Sequence, residues 1–436
     1  MWSITKGTNL LHVRQQFQAV GHGTFFTGLI TPDDPGIACF AWVYDCGSKR
    51  TTRIAAEIDA IVQRDFWPQR IDLLVLSHFD DDHVNGVERL LRACSVDKMV
   101  LPYMDTSQRL AQAAAIGCDP CSASTALLQL DPIRWLRMRG LGERVGSIVF
   151  VRSRPGDDDN RNANDEPRPF PDPSGSEENR VPPRDPTIDR LFRQDYAFKA
   201  GPGALNQPEC FLWEDSWPAS LGQLPFEFTF FNTTQHGLFV ESATGTRIAK
   251  RSGVPLARVQ AEIQAVSDRY GLTDPVGPKR PWRDKLRKLY ERHFGHASQA
   301  RNNISLCLLV RPISGSVLYC GCFDENDVVP TQPDNGWGML CLGDLRIDRG
   351  IVAEMKKHFG MQRWNSLALV QVPHHGSAHS WTSGNAKLFD PDWFVHCVPD
   401  SSCHHPHSDV AKDLTSYMVA RADYRTGVGL NYYLHR

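Results

Sequence analysis

Leu73, Leu74, Val75 and Leu76 run without a polar interruption straight into Ser77-His78-Phe79-Asp80-Asp81-Asp82-His83. An apolar run with no alternation suits a strand buried on both faces, although periodicity alone leaves a buried helix open. The seven residues after it are unusual chemistry for a strand end. Four side chains able to ligate a metal stand in the spacing His-x-Asp-x-Asp-His, and alternate positions 78, 80 and 82 can point the same way as the chain leaves the strand. Three consecutive carboxylates beside a buried element repel one another and are costly to desolvate unless cations sit among them. A solvated acidic loop that happens to contain two histidines is the plainer reading, and the rest of the chain argues against it.

Two more strand ends carry ligand-type residues. Met339-Leu-Cys-Leu342 runs into Gly343-Asp344, where a carboxylate directly after a buried strand can bridge two cations. Leu367-Ala-Leu-Val-Gln-Val372 runs into Pro373-His374-His375-Gly376-Ser377, and paired histidines at such a place suit ligation better than core packing. Earlier, Phe40-Ala-Trp-Val-Tyr44 ends in Asp45-Cys46-Gly47, where Asp45 serves either as a turn former or as an acceptor near the site. Late in the chain, His404-His405-Pro406-His407 precedes a helix from Asp409; these histidines either cap it as a partly exposed cluster or face a substrate.

Between these points the chain alternates strand and helix. Strands are expected within 9–30 and at 38–45, 98–102, 226–231, 339–342, 367–372 and 393–398, and helices at 51–63, 87–94, 254–270 and 349–359, an α/β order. Residues 301–310 and 316–320 read as a strand pair. The order breaks from 103 to 300. Residues 103 to about 150 look helical. Residues 154–187 hold eight prolines and nine acidic residues with one aromatic, too little apolar surface to pack, so a flexible loop is expected. Residues 279–294 concentrate seven Lys or Arg against two acids, and Arg283, Arg287 and Lys288 there are candidates for phosphate contacts. The organisation expected is a first core half at 1–102, an insertion at 103–300 and a second core half at 301–436.

The net charge of −2 excludes a global basic field, so any nucleic-acid surface must be local. Twelve cysteines form no zinc-ribbon or disulfide framework; Cys118-Asp-Pro-Cys121 and Cys320-Gly-Cys322 are the close pairs. Reduced, buried cysteines and the lack of a leader or an apolar span point to a cytoplasmic chain with no membrane contact.

Taken in order, Asp45-x-Gly47, His78-x-Asp80-x-Asp82-His83, Gly343-Asp344 and Pro373-His-His-Gly-Ser377 resemble the motifs of the metallo-β-lactamase fold. Within it they are most similar to the nuclease-like domain of the ComEC DNA-uptake proteins, with support from Gly21-His-Gly23, Asn302-Asn303-x-Ser305 and His405-Pro-His407. The resemblance covers roughly 10–102 and 301–436, and implies a four-layer αββα fold. It also implies two divalent ions, Zn²⁺, Mn²⁺ or Mg²⁺. His78 and Asp80 would hold one and Asp82, His83 and His374 or His375 the other, with Asp344 bridging. Water activated by these ions would attack, with Asp82, His83 and His407 in catalytic roles and His405 and Ser377 near the substrate. Asp80 stands where the wider superfamily has His, which makes that site richer in oxygen and shifts it towards Mn²⁺. A further superfamily His has only His236 near its place. The activity implied is a phosphodiesterase or nuclease, on DNA. The alternatives are a hydrolase of a small substrate such as a nucleotide or lactone, and an effector subunit of a larger assembly, such as a phage-defence complex, controlled by a protein partner through the insertion.

Overall fold

The computed structural model describes residues 10–104, 131–153, 208–215, 219–221, 224–232, 239–270, 281–295, 305–313, 316–319 and 336–435, with a few isolated residues besides. Two large sheets make up its centre. The first has nine strands, ordered across the sheet as Ser316–Tyr319, Val428–His435, Leu10–Phe17, Phe26–Pro32, Phe40–Tyr44, Arg70–Val75, Ser95–Pro102, Val145–Arg152 and Glu209–Glu214. Its strands are antiparallel up to Phe40–Tyr44 and parallel from there on. The second has eight, ordered Met418–Ala422, Trp393–Cys397, Leu367–Gln371, Gly338–Cys341, Leu306–Pro312, Leu224–Asn232, Ala219–Leu221 and Arg168–Pro169. Four of these, from Met418–Ala422 to Gly338–Cys341, run parallel.

Burial reflects that layering. One apolar cluster joins inward residues of both sheets, among them Trp42, Tyr44, Phe226, Phe228, Tyr432 and Leu430. A second lies between the first sheet and helices Thr51–Val62, Val87–Ala93 and Pro132–Met138, and a third between the second sheet and helix Arg349–Trp364. Helix, sheet, sheet, helix is the four-layer arrangement the motifs imply. Strands covered on both faces need continuous apolar sequence, which is why Leu73–Leu76 shows no alternation. In helix Thr51–Val62 the buried residues are Ile54, Ile58 and Ile61, spaced for one face.

Two expectations are corrected. Residues 306–312 and 316–319 do not pair with each other: the first lies between Leu224–Asn232 and Gly338–Cys341 in the second sheet, and the second pairs with Val428–His435 in the first. The core also does not pause between 103 and 300. Val145–Arg152 and Glu209–Glu214 extend the first sheet, and Leu224–Asn232 is integral to the second. The parts that stand apart there are a hairpin, Phe239–Glu241 with Arg247–Ala249, and two helices, Leu256–Tyr270 and Pro281–Phe294, packed on each other. The 154–187 loop lies outside the described residues save 168–169, as do both close cysteine pairs, His236 and Asn302-Asn303.

Among the described residues, no helix is long and apolar enough to cross a membrane.

Candidate metal centre

The carboxyl ends of parallel strands from both sheets meet at one place. Tyr44 leads to Asp45 and Val75 to Ser77-His78 in the first sheet; Cys341 leads to Gly343-Asp344 and Gln371 to His374-His375 in the second. Open α/β sheets gather ligands at such strand ends, because the loops there point one way. The seam between sheets is tied by backbone and side-chain bonds. Leu306 N donates to Ser77 O (2.8 Å) and Tyr44 Oη to Leu306 O (2.9 Å); within the second sheet, Asp344 N donates to Ser305 Oγ (3.1 Å).

Asp45 organises the first-sheet side. Buried completely, its Oδ1 accepts from Ser77 N (2.7 Å), and its Oδ2 from Ser77 Oγ (2.6 Å) and His83 Nδ1 (2.7 Å). Ser77 Oγ, having donated to Asp45, accepts from His78 Nδ1 at 2.8 Å. These bonds place a proton of each ring on Nδ1 and turn both Nε2 atoms towards the centre. His375 is set likewise, its Nδ1 donating to Cys397 O (2.7 Å), while His374 Nδ1 lies 3.0 Å from Ser380 Oγ.

The ligand-type atoms converge. His83 Nε2 lies 3.1 Å from Asp344 Oδ1; His78 Nε2 is 3.6 Å and His374 Nε2 3.7 Å from Asp344 Oδ2. His375 Nε2 lies 3.3 Å from Asp82 Oδ2, and His78 Nε2 3.9 Å from Asp80 Oδ2. Four of these atoms, His78 Nε2, His83 Nε2, His375 Nε2 and Asp344 Oδ1, are buried and make no hydrogen bond. Buried polar atoms without partners are rare and costly. Metal bonds of ~2.0–2.2 Å at tetrahedral angles put donor atoms roughly 3.3–3.6 Å apart, and the distances here, from 3.1 to 3.9 Å, bracket that range. The donor set therefore fits divalent cations. Two overlapping groups, His78–Asp80–Asp344 and His83–Asp344–His375, share Asp344, and a third joins His22, Asp82 and His375 within 4.8 Å.

The electrostatics agree. Burial disfavours the Asp344 carboxylate, yet the imidazoles of His374, His83 and His78 hold its pKa well below the usual carboxylate range. Burial lowers that of His83, but Asp344 and Asp45 outweigh it and hold the ring well above an ordinary histidine. Each shift reflects the oppositely charged partner already beside the group.

Three of the site residues occupy left-handed backbone: Asp45 (φ 55°), His374 (φ 47°) and His375 (φ 56°). Such strain in side-chain-bearing residues collects at functional sites. Gly47 is needed for another reason: a Cβ there would lie 2.4 Å from the carbonyl carbon of Asp82. The 45–48 turn thus rests directly on the 82–83 backbone, with Cys46 N donating to His83 O at 2.7 Å.

The other expected residues have different surroundings. Asp81 turns aside and accepts from Thr125 Oγ1 at 2.5 Å. Ser377 is buried and accepts from His379 N at 3.3 Å. His407, expected in a catalytic role, is the N-cap of helix Ser408–Asp413: its Nδ1 accepts from Asp409 N at 3.3 Å, and its backbone N donates to Gly376 O at 2.9 Å, so it is tied to the histidine turn by its backbone while its ring caps the helix. His405 is nearer, its ring centroid 5.5 Å from His22 and 6.4 Å from His374, and burial pushes its pKa down to about 4. Arg287 is held by Asp284 at 2.8 Å and Lys288 is exposed, while the Arg283 side chain lies outside the described residues. Sequence reasoning missed Ser77 and Cys397 as ring-orienting partners. It also missed His22 and Lys49, whose one signal was the Gly21-His-Gly23 turn.

Residues 30–102 match the family model described as the metallo-beta-lactamase superfamily. No curated protein matches the sequence. Among solved structures, the metallo-beta-lactamase fold protein YhfI from Bacillus subtilis is similar at 10% identity and a TM-score of 0.35, covering 96% of this chain and 99% of its own. Unliganded yeast PDE1 is similar at 9% identity and TM-score 0.35, over 97% of this chain and 100% of its own. A long form RNase Z from yeast is similar at 9% identity and TM-score 0.29, over 99% of this chain and 42% of its own. Residues 30–102 are thus similar to the metallo-beta-lactamase superfamily, and strands from the rest of the sequence complete a mixed α/β fold around them.

Proposed function

We propose that the protein is a metal-dependent phosphodiesterase acting on nucleic acid, DNA in particular. The observation that carries the reading is the set of four buried, unpartnered ligand atoms, His78 Nε2, His83 Nε2, His375 Nε2 and Asp344 Oδ1, gathered around one carboxylate. His78 and Asp80 would hold one ion and Asp82, His83 and His375 the other, with Asp344 shared by both groups and His374 beside its Oδ2. When bound, two divalent ions supply Lewis acidity and a nucleophile at neutral pH. The chain's own part is to fix the imidazoles through Asp45, Ser77 and Cys397, and to bring His405 to the substrate side, where it contacts a phosphate oxygen or the leaving group. Asp80 favours Mn²⁺ over Zn²⁺ in the first position.

Support for a polymer substrate comes from helix Pro281–Phe294, whose Leu286, Leu289 and Tyr290 are buried while Lys285, Arg287 and Lys288 are exposed. Two ion pairs, Arg287–Asp284 and Arg292–Glu262, spend part of that charge within the helix pair and favour a second reading, hydrolysis of a small phosphate ester or lactone.

One experiment separates them. Protein with Mn²⁺, Mg²⁺ or Zn²⁺ is given single-stranded DNA, duplex DNA, RNA and bis(p-nitrophenyl) phosphate. Parent is compared with the triple variant Arg283→Glu, Arg287→Glu, Lys288→Glu. On the polymer reading, the variant keeps the small-ester activity, loses DNA affinity and flattens the salt slope by roughly 0.7–0.9 for each phosphate no longer neutralised. Unchanged DNA cleavage at every salt concentration removes this helix from the DNA path, and no turnover of any phosphodiester removes the activity itself.

A further inference from the structure

We propose that Lys49, held in place by His22, binds the anionic group of the substrate beside the Asp82–His375 end of the metal cluster, so that the site selects negatively charged esters over neutral ones. The proposal rests on the hydrolase reading and adds a specificity residue to it.

The geometry is continuous from ligand to lysine. His375 Nε2 faces Asp82 at 3.3 Å; the His22 ring lies against His375 with centroids 4.2 Å apart; and Lys49 Nζ sits 2.6 Å from His22 Nε2. His405 also neighbours His22, centroid to centroid 5.5 Å. Lys49 and His22 are also locked at the backbone, where Lys49 N donates to His22 O at 2.7 Å. The neighbouring Ser48 is fixed by its Oγ on Val20 O (2.7 Å) and by Asn85 Oδ1 on its N–H (3.1 Å). A lysine on an exposed turn normally wanders; this one is anchored at both its backbone and its tip.

The charge is unspent. An ammonium has three donors and no acceptor. One donor meets the His22 lone pair, which leaves two. Among the described residues, Lys49 makes no ion pair, and helix Thr51–Val62, which starts two residues on, has no acidic residue in its first turn. Arg50 does not compete for the same place, since its guanidinium lies over the Tyr424 ring at 4.1 Å. A cation left unpaired at the rim of a carboxylate-rich centre, and aimed by an imidazole that itself packs on a ligand histidine, suits a non-bridging phosphate oxygen. It gives nothing to a neutral ester.

The test uses full-length protein loaded with Mn²⁺ and inorganic phosphate as the probe. Calorimetric titration should show about tenfold weaker phosphate binding in Lys49→Ala, the loss of one charge-assisted hydrogen bond. Lys49→Arg should stay close to the parent, and bound manganese, measured separately, should be the same in all three proteins. Phosphate affinity in Lys49→Ala equal to the parent's would overturn the proposal. So would loss of manganese from that variant, which would make Lys49 a support of the ligand shell instead. Failure of the hydrolase reading would show elsewhere, as a parent protein that turns over no phosphodiester while still binding phosphate through Lys49.

Discussion

Replacing Asp45 with Asn isolates the orienting role of a residue that is not itself needed as a ligand. Its two oxygens accept three bonds, from Ser77 N, Ser77 Oγ and His83 Nδ1. Asn keeps the size and tolerates the φ of 55° that Asp45 adopts, so the backbone does not confound the result. It cannot keep the bonds. With the amide oxygen towards Ser77 N, the NH₂ group meets His83 Nδ1 and Ser77 Oγ as a donor, and His83 must move its proton to Nε2. That nitrogen then presents N–H to Asp344, 3.1 Å away, and can no longer ligate. With the amide turned over, the NH₂ group confronts the Ser77 N–H in a site with no exposure to water.

Either way the ring loses its assigned tautomer. Changes to partners of metal-bound histidines cost about 10–100-fold in metal affinity, or roughly 1.4–2.7 kcal/mol. His78 is affected as well, since its Nδ1 is oriented through Ser77 Oγ, so the upper half of that range is expected. The assay is a competitive chelator titration of Mn²⁺ or Zn²⁺, with turnover of bis(p-nitrophenyl) phosphate read at saturating metal. Asp45→Asn binding metal as tightly as the parent would refute the reasoning, because it would mean that the left-handed turn alone, not the carboxylate, positions His83.

The same geometry sets two more outcomes. Asp82→Ala and His83→Ala should each lose metal and more than about 100-fold of activity, beyond the range for orienting residues. Asp81→Ala, whose carboxylate is engaged by Thr125, should stay within a few-fold of the parent in both assays; equal damage from all three would make this an ordinary acidic loop. Because Asp344 and Asp45 together raise His83 despite its burial, the metal-free protein carries that proton at neutral pH, and metal uptake must expel it. The calorimetric heat of metal binding at pH 7 should therefore vary with the ionisation heat of the buffer, and that dependence should fade as the pH rises through the folded pKa of His83; a buffer-independent heat at pH 7 would contradict the assignment.

The chemistry that could be read from the sequence is local to it. His78-x-Asp80-x-Asp82-His83 and Pro373-His374-His375 announce themselves because their side chains leave strand ends a few residues apart, and the apolar runs before them mark those strands. Pairing was less legible. Nothing within 306–319 tells that its first strand lies beside Leu224–Asn232 and its second beside Val428–His435, since register is set by partners more than seventy residues away in either direction. Val145–Arg152 was hidden in the same manner: it reads as one more apolar stretch after a helical segment, and only its parallel pairing with Ser95–Pro102 makes it core. His22 and Lys49 become visible as a pair only when the 20–24 and 45–48 turns are brought together over the 82–83 backbone.

The left-handed residues explain why the site itself resists complete reading. At Asp45, His374 and His375 the backbone asks for glycine, while the chemistry asks for a carboxylate and two imidazoles. Each such residue costs of order 1–3 kcal/mol and persists only where its surroundings over-determine it. Around the histidine pair, hydrogen bonds do so: His374 N donates to Gly343 O (3.0 Å), Ser377 N to His374 O (2.9 Å) and His375 Nδ1 to Cys397 O (2.7 Å), which ties the strained turn to two neighbouring strand ends as well as its own. Gly343, at φ 55° and with Ser77 Cβ 2.8 Å from where its own Cβ would be, is the place where the backbone was allowed its preference, because there the adjacent Asp344 carries the ligand. Local propensity and function thus disagree at three positions and agree at one. A reading from propensity alone would have put glycine at all four and left the cations without Asp45 to orient His83 or His375 to hold them.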